Sequence, residues 1–205
     1  MEGYITIKKP SSFEYEDRKS VFIGQAMPVS TEKEALAFIE SVRKRYPDAR
    51  HHVYAYVLRE NSIMRFTDDR EPQGTAGMPV LDIIRKRGCT DTVIVVTRYF
   101  GGTLLGTGGL VHAYTSAALG ALEAAEIIRY DVYAKVSIKV NYSDYGKISA
   151  SLSELGFRTE DTLYDADVSI IGSIIKGRVD ELEENLTEIT SGRADFKVLG
   201  EEFSY

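Results

Sequence analysis

The sequence predicts an α+β protein built of two domains, with the boundary near residue 131. Strand and helix signals alternate up to about residue 126 and then restart. From there their order is βαββαβ, which is typical of a ferredoxin-like split βαβ module. The charge changes at the same place: residues 1–131 carry 17 Lys and Arg against 17 Asp and Glu, and residues 132–205 carry 8 against 14. We therefore expect one domain over residues 1–131 and another over residues 132–205.

The N-terminal domain is predicted to contain a strand over residues 21–29, followed by a helix that ends at Pro47. Thr31 is a suitable helix N-cap, and Glu34 completes a capping box three residues later. Apolar residues then recur at helical spacing. The later elements of this domain are predicted as paired strands over 52–58 and 63–67, a helix over 77–87 closed by Gly88, a buried strand over 93–99 and a helix over 110–126.

The C-terminal domain repeats strand and helix patterns over its whole length. The predicted elements are a strand over 134–140, a helix over 143–155, a hairpin of strands over 157–164 and 166–174, a helix over 178–190 and a strand over 194–203. The acidic residues of the second helix lie among apolar residues at helical spacing. This pattern favours a solvated outer face, and a docking surface for a basic protein is the alternative.

Composition limits the class of protein. The chain has 205 residues, of which 43% are hydrophobic and 27% charged, as in ordinary globular proteins. Its apolar runs are strand-sized, and its first residues lack the pattern of a signal peptide. The single cysteine, Cys89, fits a reducing compartment. We therefore expect a cytoplasmic protein with no membrane partner. The net charge of −6 argues against nucleic-acid binding through bulk charge, so RNA would need a local basic patch.

The most informative segment covers residues 98–114, RYFGGTLLGTGGLVHAY. Its five glycines lie between the buried strand and the long helix, at Gly101, Gly102, Gly106, Gly108 and Gly109. Glycine permits positive φ and exposes backbone N–H groups, and a helix N-terminus adds unpaired N–H groups and a positive dipole end. The segment is therefore either a tight packing corner or a loop that contacts an anion. It matches neither the Walker pattern nor G-x-G-x-x-G, whose third glycine is replaced by Val111.

Two segments resemble the paired signatures of the IMPACT/YigZ family: FTDDREPQGTAGMPVLDII at residues 66–84 and VVTRYFGGTLLGTGGLVHAY at residues 95–114. The resemblance covers the whole chain. It implies an N-terminal domain similar to the second domain of ribosomal protein S5, and a ferredoxin-like C-terminal domain similar to a late domain of the ribosomal translocase. The eukaryotic relatives regulate translation by binding a partner that activates a starvation-responsive initiation-factor kinase. For bacterial members, a role in translation or nucleic-acid binding follows from fold analogy.

Carried over by position, the family signature covers two sets of residues. They are Asp68, Asp69, Glu71, Pro72, Gly74, Thr75, Gly77 and Pro79, then Arg98, Tyr99, Gly101, Gly102, Gly106, Gly108, Gly109, Leu110, Ala113 and Tyr114. Two residues depart from the pattern. Arg70 stands where the family usually has glycine, and His112 stands where arginine is usual. If that arginine binds an anion, the contact in this chain is weaker and depends on pH.

The acidic cluster has two interpretations. Asp68, Asp69 and Glu71 could bind Mg²⁺, which needs one or two carboxylates together with phosphate oxygens. Neighbouring strand residues point to opposite faces, so this requires the chain to turn at the cluster. The alternative is a metal-free polar loop, in which an aspartate caps the next helix and Arg70 neutralises part of the charge.

Arg98 and Tyr99 lie where the buried strand reaches the glycines. Arginine offers a fork for phosphate, and tyrosine offers a face for base stacking. Equally, Tyr99 could pack in the core while Arg98 pairs with the acidic loop. A pair between Arg98 and Asp69 or Glu71 would join the two signatures into one site.

We therefore expect a non-catalytic, translation-associated regulator that binds RNA, the ribosome or a translation-associated protein through the surface of residues 66–114. The candidate binding residues are Asp68, Asp69, Glu71, Gly74, Thr75, Arg98, Tyr99, Gly101, Gly102, Gly106, Gly108, Gly109 and His112. This interpretation includes no catalytic residue, metal ligand or cofactor. The alternative is a phosphate- or nucleotide-handling enzyme, which would use the glycine loop and the carboxylates of Asp68, Asp69 and Glu71, with Mg²⁺.

Overall fold

A computed structural model describes residues 3–205 of the chain. It divides into two compact units, one of residues 4–129 and one of residues 130–205 together with Gly3. Both units contain helices and antiparallel sheet, so the α+β, two-domain prediction is confirmed. Within residues 3–205, no helix is both long enough and apolar enough to cross a membrane.

The first unit is a sheet with helices on both faces. Its elements are β1 (Tyr4–Ile7), β2 (Ser11–Asp17), β3 (Ser20–Pro28), α1 (Glu32–Arg45), β4 (His51–Val57), a 3₁₀ turn (Glu60–Ser62), β5 (Met64–Thr67), α2 (Gly77–Lys86), β6 (Thr92–Tyr99) and α3 (Gly106–Ala124). Strands β2 to β6 form one antiparallel sheet in the order β2-β3-β6-β4-β5. Strand β6 is therefore central and is covered on both sides.

The alternation of side chains along β6 fills two cores. Ile94 and Val96 pack in the core that contains α2 and α3. Val93 and Val95 point the other way and pack with α1. Successive strand residues face opposite sides of a sheet, so the continuous apolar run predicted as a buried strand serves both layers.

The second unit has the predicted βαββαβ order. Its elements are β7 (Ile127–Val140), α4 (Tyr142–Glu154), β8 (Arg158–Tyr164), β9 (Val168–Ile175), α5 (Val179–Thr190) and β10 (Asp195–Ser204). The four strands of this unit pair antiparallel in the order β10-β7-β9-β8. This is the strand order of a ferredoxin-like module. The apolar residues Leu182 and Leu186 of α5 are buried in its core, and the neighbouring acidic residues are exposed.

The local sequence signals place most elements within a few residues. The capping box of α1 is present as predicted: Thr31 accepts a hydrogen bond from the backbone N–H of Glu34, whose side chain caps in return. Gly88 and Gly156 follow α2 and α4 with positive φ, as expected of helix-terminating glycines. Strands β1 and β2 were not predicted.

The long helix starts earlier than predicted. Helix α3 begins at Gly106 rather than at residue 110, so Gly106, Gly108 and Gly109 lie in its first turn and do not form a loop. Glycine costs about 1 kcal/mol in a helix relative to alanine. That cost is outweighed because the buried face of α3, including Ala113 and Tyr114, packs on the sheet and holds the helix.

Candidate functional site

Two strands and two connections bring the signature residues together. In the antiparallel pairing of β4 with β6, His51 lies opposite Arg98 at one edge of the sheet. The connection between β5 and α2 carries Glu71 to the same edge. Tyr114, two turns into α3, approaches it from the helix layer. The two motifs predicted to form one site therefore meet at the end of β6.

At this edge Glu71 is a buried carboxylate with several partners. Arg98 donates from Nη1 to Glu71 Oε1 over 2.5 Å, and the hydroxyl of Tyr114 donates to the same oxygen over 2.8 Å. The Nε2 atom of His51 lies 3.8 Å from that oxygen. The exposed fraction is 8% for Glu71 and 5% for Arg98. The hypothesis that an Arg98–Glu71 pair joins the two motifs agrees with this contact.

The tyrosine of this cluster is held in its protonated form. Burial is the main cause that raises the pKa of Tyr114, and the negative charge of Glu71 and the hydrogen bond to it add to the rise. Tyr114 therefore acts as a hydrogen-bond donor at every physiological pH. Its hydroxyl stabilises the buried carboxylate of Glu71 by a second hydrogen bond, beside the one from Arg98.

Arg98 keeps unused hydrogen-bonding capacity. Its Nε–H is buried and has no acceptor among the described residues. The guanidinium carbon lies 5.4 Å from the ring centre of Phe22 and 5.7 Å from that of Phe100. Arginine presents five N–H donors, and the side chain of Arg98 makes one hydrogen bond, to Glu71, among the described residues.

An open cavity of about 400 Å³ lies over this cluster. Its wall combines cationic, apolar and backbone groups, contributed by Arg50, His51, Arg70, Glu71, Pro72, Arg98, Phe100, Leu104, Leu105, Gly106, Thr107 and Leu110. Arg50 and Arg70 are exposed on its rim. The wall of the cavity thus carries both positively charged and apolar groups.

The N-terminus of α3 forms part of the same wall. Leu105 stands at the N-cap position, and no side chain of residues 3–205 caps the helix there. Gly106 takes a φ of +75°, and a Cβ at that position would meet no atom within 4 Å. The first N–H groups of α3 and its positive dipole end are therefore open at the cavity.

Asp68 and Asp69, two predicted binding residues, serve the loop itself. Asp68 accepts hydrogen bonds from the backbone N–H groups of Gly74, Ala76 and Gly77, and so caps α2. Asp69 accepts a hydrogen bond from the backbone N–H of His52. The capping interpretation of the acidic cluster holds for Asp68. Within residues 3–205, no group of three or more His, Cys, Asp or Glu side chains is arranged to hold a metal ion.

Arg70 adopts a conformation that explains the glycine usual at its position. Its φ is +70°, and Asp69 before it has a φ of +41°. Glycine is the residue that adopts this region at no steric cost. In this chain a strained arginine stands there, and its Nη2 donates to the carbonyl oxygen of Arg50 over 3.1 Å on the cavity rim.

The eight remaining predicted residues lie outside the cavity wall. They are Gly74, Thr75, Tyr99, Gly101, Gly102, Gly108, Gly109 and His112. Thr75 donates its hydroxyl to the carbonyl of Pro72, inside the loop. Tyr99 follows Arg98 on β6 and so points to the other face, where partial burial and the charge of Asp48 raise its pKa.

Gly101 fits the packing-corner alternative, and His112 departs from its predicted role. Gly101 is a packing corner, because a Cβ there would lie 2.1 Å from the backbone of Lys19. His112 does not reach the cavity: its ring lies edge-on to Tyr15, with ring centres 5.9 Å apart. Residues of a helix advance by about 100° each, so His112 faces away from the side of α3 that carries Leu110 and Tyr114.

Sequence reasoning missed four important members of the site: Arg50, His51, Phe100 and Tyr114 as a partner of Glu71. Arg50 and His51 lie outside both motifs and reach the site only through the register of β4 with β6. His51 donates from Nδ1 to the carbonyl oxygen of Asp69 over 2.7 Å. Tyr114 was present in the motif, and its spacing of four residues from Leu110 on the apolar face of α3 was the available signal.

Comparison with known proteins assigns both units of the chain to described families. Residues 18–122 match the model of the Impact N-terminal domain. Residues 138–193 match a model described as a domain of unknown function, DUF1949. The first match contains the whole candidate site, and the second covers most of the ferredoxin-like unit.

Several known proteins are similar to this chain, some over most of its length and others over about half of it. The IMPACT family member YvyE of Bacillus subtilis (strain 168) is 36% identical over 198 residues, covering 96% of this chain and 91% of that protein. The IMPACT family member YigZ of Escherichia coli (strain K12) is 33% identical over 195 residues, covering 94% of this chain and 96% of that protein. Protein IMPACT of Homo sapiens is 29% identical over 100 residues, covering 47% of this chain and 31% of that protein. A crystal structure of a protein described as hypothetical is 32% identical, with a TM-score of 0.61 and 98% coverage of both chains.

Proposed function

Because this chain belongs to the IMPACT family, we propose that it is a translation-associated regulator that binds RNA, free or on the ribosome, at the cavity over Arg98. The proposal includes no catalytic step. Translational regulation is the role that the family resemblance implies for eukaryotic members, and these share the N-terminal part of the chain that contains the cavity.

The observation that carries the proposal is the state of Arg98. Arg98 is buried and lines the cavity, and among the described residues its guanidinium group has one acceptor, a carboxylate oxygen of Glu71. Burying a cationic group with donors unsatisfied costs free energy, which an anionic ligand would recover. Arg50, Arg70 and the open N-terminus of α3 surround the same space, and RNA phosphate supplies the matching charge.

The apolar wall suits single-stranded RNA. Phe100 is 43% exposed and Leu104 is 81% exposed. A base can stack on such groups once its phosphate is held, whereas a paired base in a duplex is not accessible. The net charge of −6 does not oppose this, because residues 1–131, which contain the cavity, balance 17 Lys and Arg against 17 Asp and Glu, and the excess of acidic residues lies in residues 132–205.

The test is co-sedimentation of the protein with ribosomes, and anisotropy of a labelled single-stranded RNA, at low and high salt. We expect salt-sensitive binding that is weakened in Arg50→Ala, because Arg50 is exposed and its removal leaves the fold intact. Arg65→Ala is the matched control, since Arg65 is an exposed arginine of the same unit that does not line the cavity. Absence of binding to both RNA and ribosomes, or equal loss in Arg65→Ala, would overturn the proposal.

A further inference from the structure

We infer that the cavity selects a nucleotide phosphate monoester, such as the phosphorylated end of an RNA strand or a free mononucleotide, over the internal phosphodiester of a chain. This inference rests on the proposed function and names the chemical group that the same site recognises. It depends on the charge of the cavity, its donors and its volume.

The charge of the wall fits a dianion. Three guanidinium groups line the cavity, those of Arg50, Arg70 and Arg98, against the single carboxylate of Glu71. The balance is two positive charges. A phosphate monoester carries about −1.5 to −2 at neutral pH, whereas each phosphodiester of an RNA chain carries a single negative charge. The dipole of α3 adds further to the preference for the doubly charged group.

The donors of the wall also exceed what a phosphodiester can accept. The first N–H groups of α3 are uncapped, the hydroxyl-bearing Thr107 is beside them, and the guanidinium group of Arg98, which lines the cavity, uses one of its donors on Glu71. A monoester presents three strong acceptor oxygens. A phosphodiester has two free oxygens, and its third and fourth are tied to neighbouring sugars. The open space around Gly106 lets an oxygen approach the backbone closely.

The shape of the cavity favours one terminal nucleotide. Its volume of about 400 Å³ lies at the lower end of the range of small-molecule sites, roughly 300–1,000 Å³. Helix α3 and the connection that carries Arg70 and Glu71 both line it. A phosphate held at the α3 N-terminus can extend its sugar and base toward the exposed Phe100 and Leu104.

The experiment compares matched ligands by fluorescence anisotropy and calorimetry. A labelled single-stranded oligouridylate is prepared with 5′-phosphate, with 3′-phosphate and with both ends as hydroxyls; uridine monophosphate, uridine and inorganic phosphate are added as competitors. We expect a terminal phosphate to tighten binding roughly tenfold or more, the effect of one good charge-assisted hydrogen bond. Arg50→Ala should abolish that advantage while Arg65→Ala retains it, with circular dichroism confirming that both are folded.

Each outcome separates the inference from the proposed function. Equal affinity for phosphorylated and hydroxyl-ended RNA overturns the inference and leaves RNA binding in place. Preference for phosphorylated RNA, with weak competition by the mononucleotide, supports the inference and identifies RNA ends as the source. Tight binding of uridine monophosphate without binding of any RNA supports monoester selection but overturns the RNA role. Binding of none of these ligands overturns both.

Discussion

The guanidinium group of Arg98 and the carboxylate of Glu71 form a buried ion pair with Nη1 and Oε1 2.5 Å apart, although the two residues are separated by 27 positions in the chain. The pair fixes the acidic loop to the end of β6. Arg98 and Glu71 also line the cavity. The same pair therefore holds the loop in place and forms part of the candidate binding site.

Removal of Arg98 alone should destabilise the protein strongly. Arg98→Met leaves Glu71 as a buried charge without its cation, which typically costs about 3–5 kcal/mol. Urea denaturation of the purified variant measures this loss as a lower free energy of unfolding.

A second substitution at Glu71 should restore part of the stability that Arg98→Met loses. Glu71→Gln in the Arg98→Met background removes the stranded charge and keeps an acceptor for Tyr114, so the double variant should be more stable than Arg98→Met. Independent, additive losses at the two positions would contradict the ion pair as the organising contact. The comparison also shows why an Arg98 variant alone is a poor test of binding.

Asp68 should affect stability without affecting binding. Asp68→Ala removes the acceptor for the N–H groups of Gly74, Ala76 and Gly77, and loss of such a cap costs about 1–2 kcal/mol. We expect a lower denaturation midpoint and unchanged RNA affinity in the folded protein, with and without EDTA. The control is Asp82→Ala, which removes an exposed carboxylate of α2 that pairs with Arg85 at 3.7 Å.

The result at Asp68 also tests the enzyme alternative. A Mg²⁺-dependent loss of nucleotide binding in Asp68→Ala or Asp69→Asn would favour a metal-assisted site in the acidic loop. Unchanged binding would agree with the backbone hydrogen bonds of both carboxylates.

Features of this molecule that depend on neighbouring residues could be predicted from its sequence, whereas most features that depend on long-range contacts could not. The capping box of Thr31 and Glu34 depends on four consecutive residues, so it was predictable. The βαββαβ order and the meeting of Arg98 with Glu71 followed from patterning and from the paired motifs. The start of α3 was not predictable from propensity, because glycine favours a loop there and tertiary packing decides otherwise. The role of His51 depends on the register of β4 with β6, which no local pattern specifies.

The segment FEYE within β2 shows a second limit of prediction from local sequence. Its apolar and acidic residues alternate as a strand requires, yet the prediction passed over it. Phe13 remains 41% exposed and Tyr15 half-buried, so the strand gains little burial of its own. Its pairing with β3 and its contact with α3 stabilise it, and these are long-range interactions.

Acidification should destabilise the fold through His52. Burial lowers the pKa of His52, against smaller opposing effects of its hydrogen bond to the carbonyl of Tyr46 and of the charge of Asp69; Arg43 and His51 lower it further. The unfolded chain therefore binds the proton more tightly than the folded one. The stabilising contribution is complete above the unfolded pKa of about 6.5 and is lost as the pH falls through that value toward the folded pKa.

The measurement for His52 is the urea midpoint between pH 7.5 and pH 5.5, compared with His52→Gln. The variant retains a side-chain N–H donor for the Tyr46 carbonyl and has no titrating group. We expect the wild-type midpoint to fall more steeply than that of the variant. Parallel curves would assign the pH dependence to other groups, and a matched His112→Gln variant on the exposed side of α3 supplies the control.

Two substitutions of Arg70 should separate the effect of backbone strain from the effect of charge. Its φ of +70° is favourable for glycine and costs other residues about 1–2 kcal/mol. Arg70→Gly and Arg70→Ala both remove the guanidinium group from the cavity rim, but only Arg70→Ala retains the strain. We therefore expect the glycine variant to be more stable than the alanine variant by about 1 kcal/mol in urea denaturation, and both to lose affinity for phosphorylated RNA equally. If the alanine and glycine variants bind as tightly as the wild type, the charge of Arg70 has no part in recognition. If the two variants differ from each other in affinity, the conformation of the loop contributes to recognition in addition to the charge of Arg70.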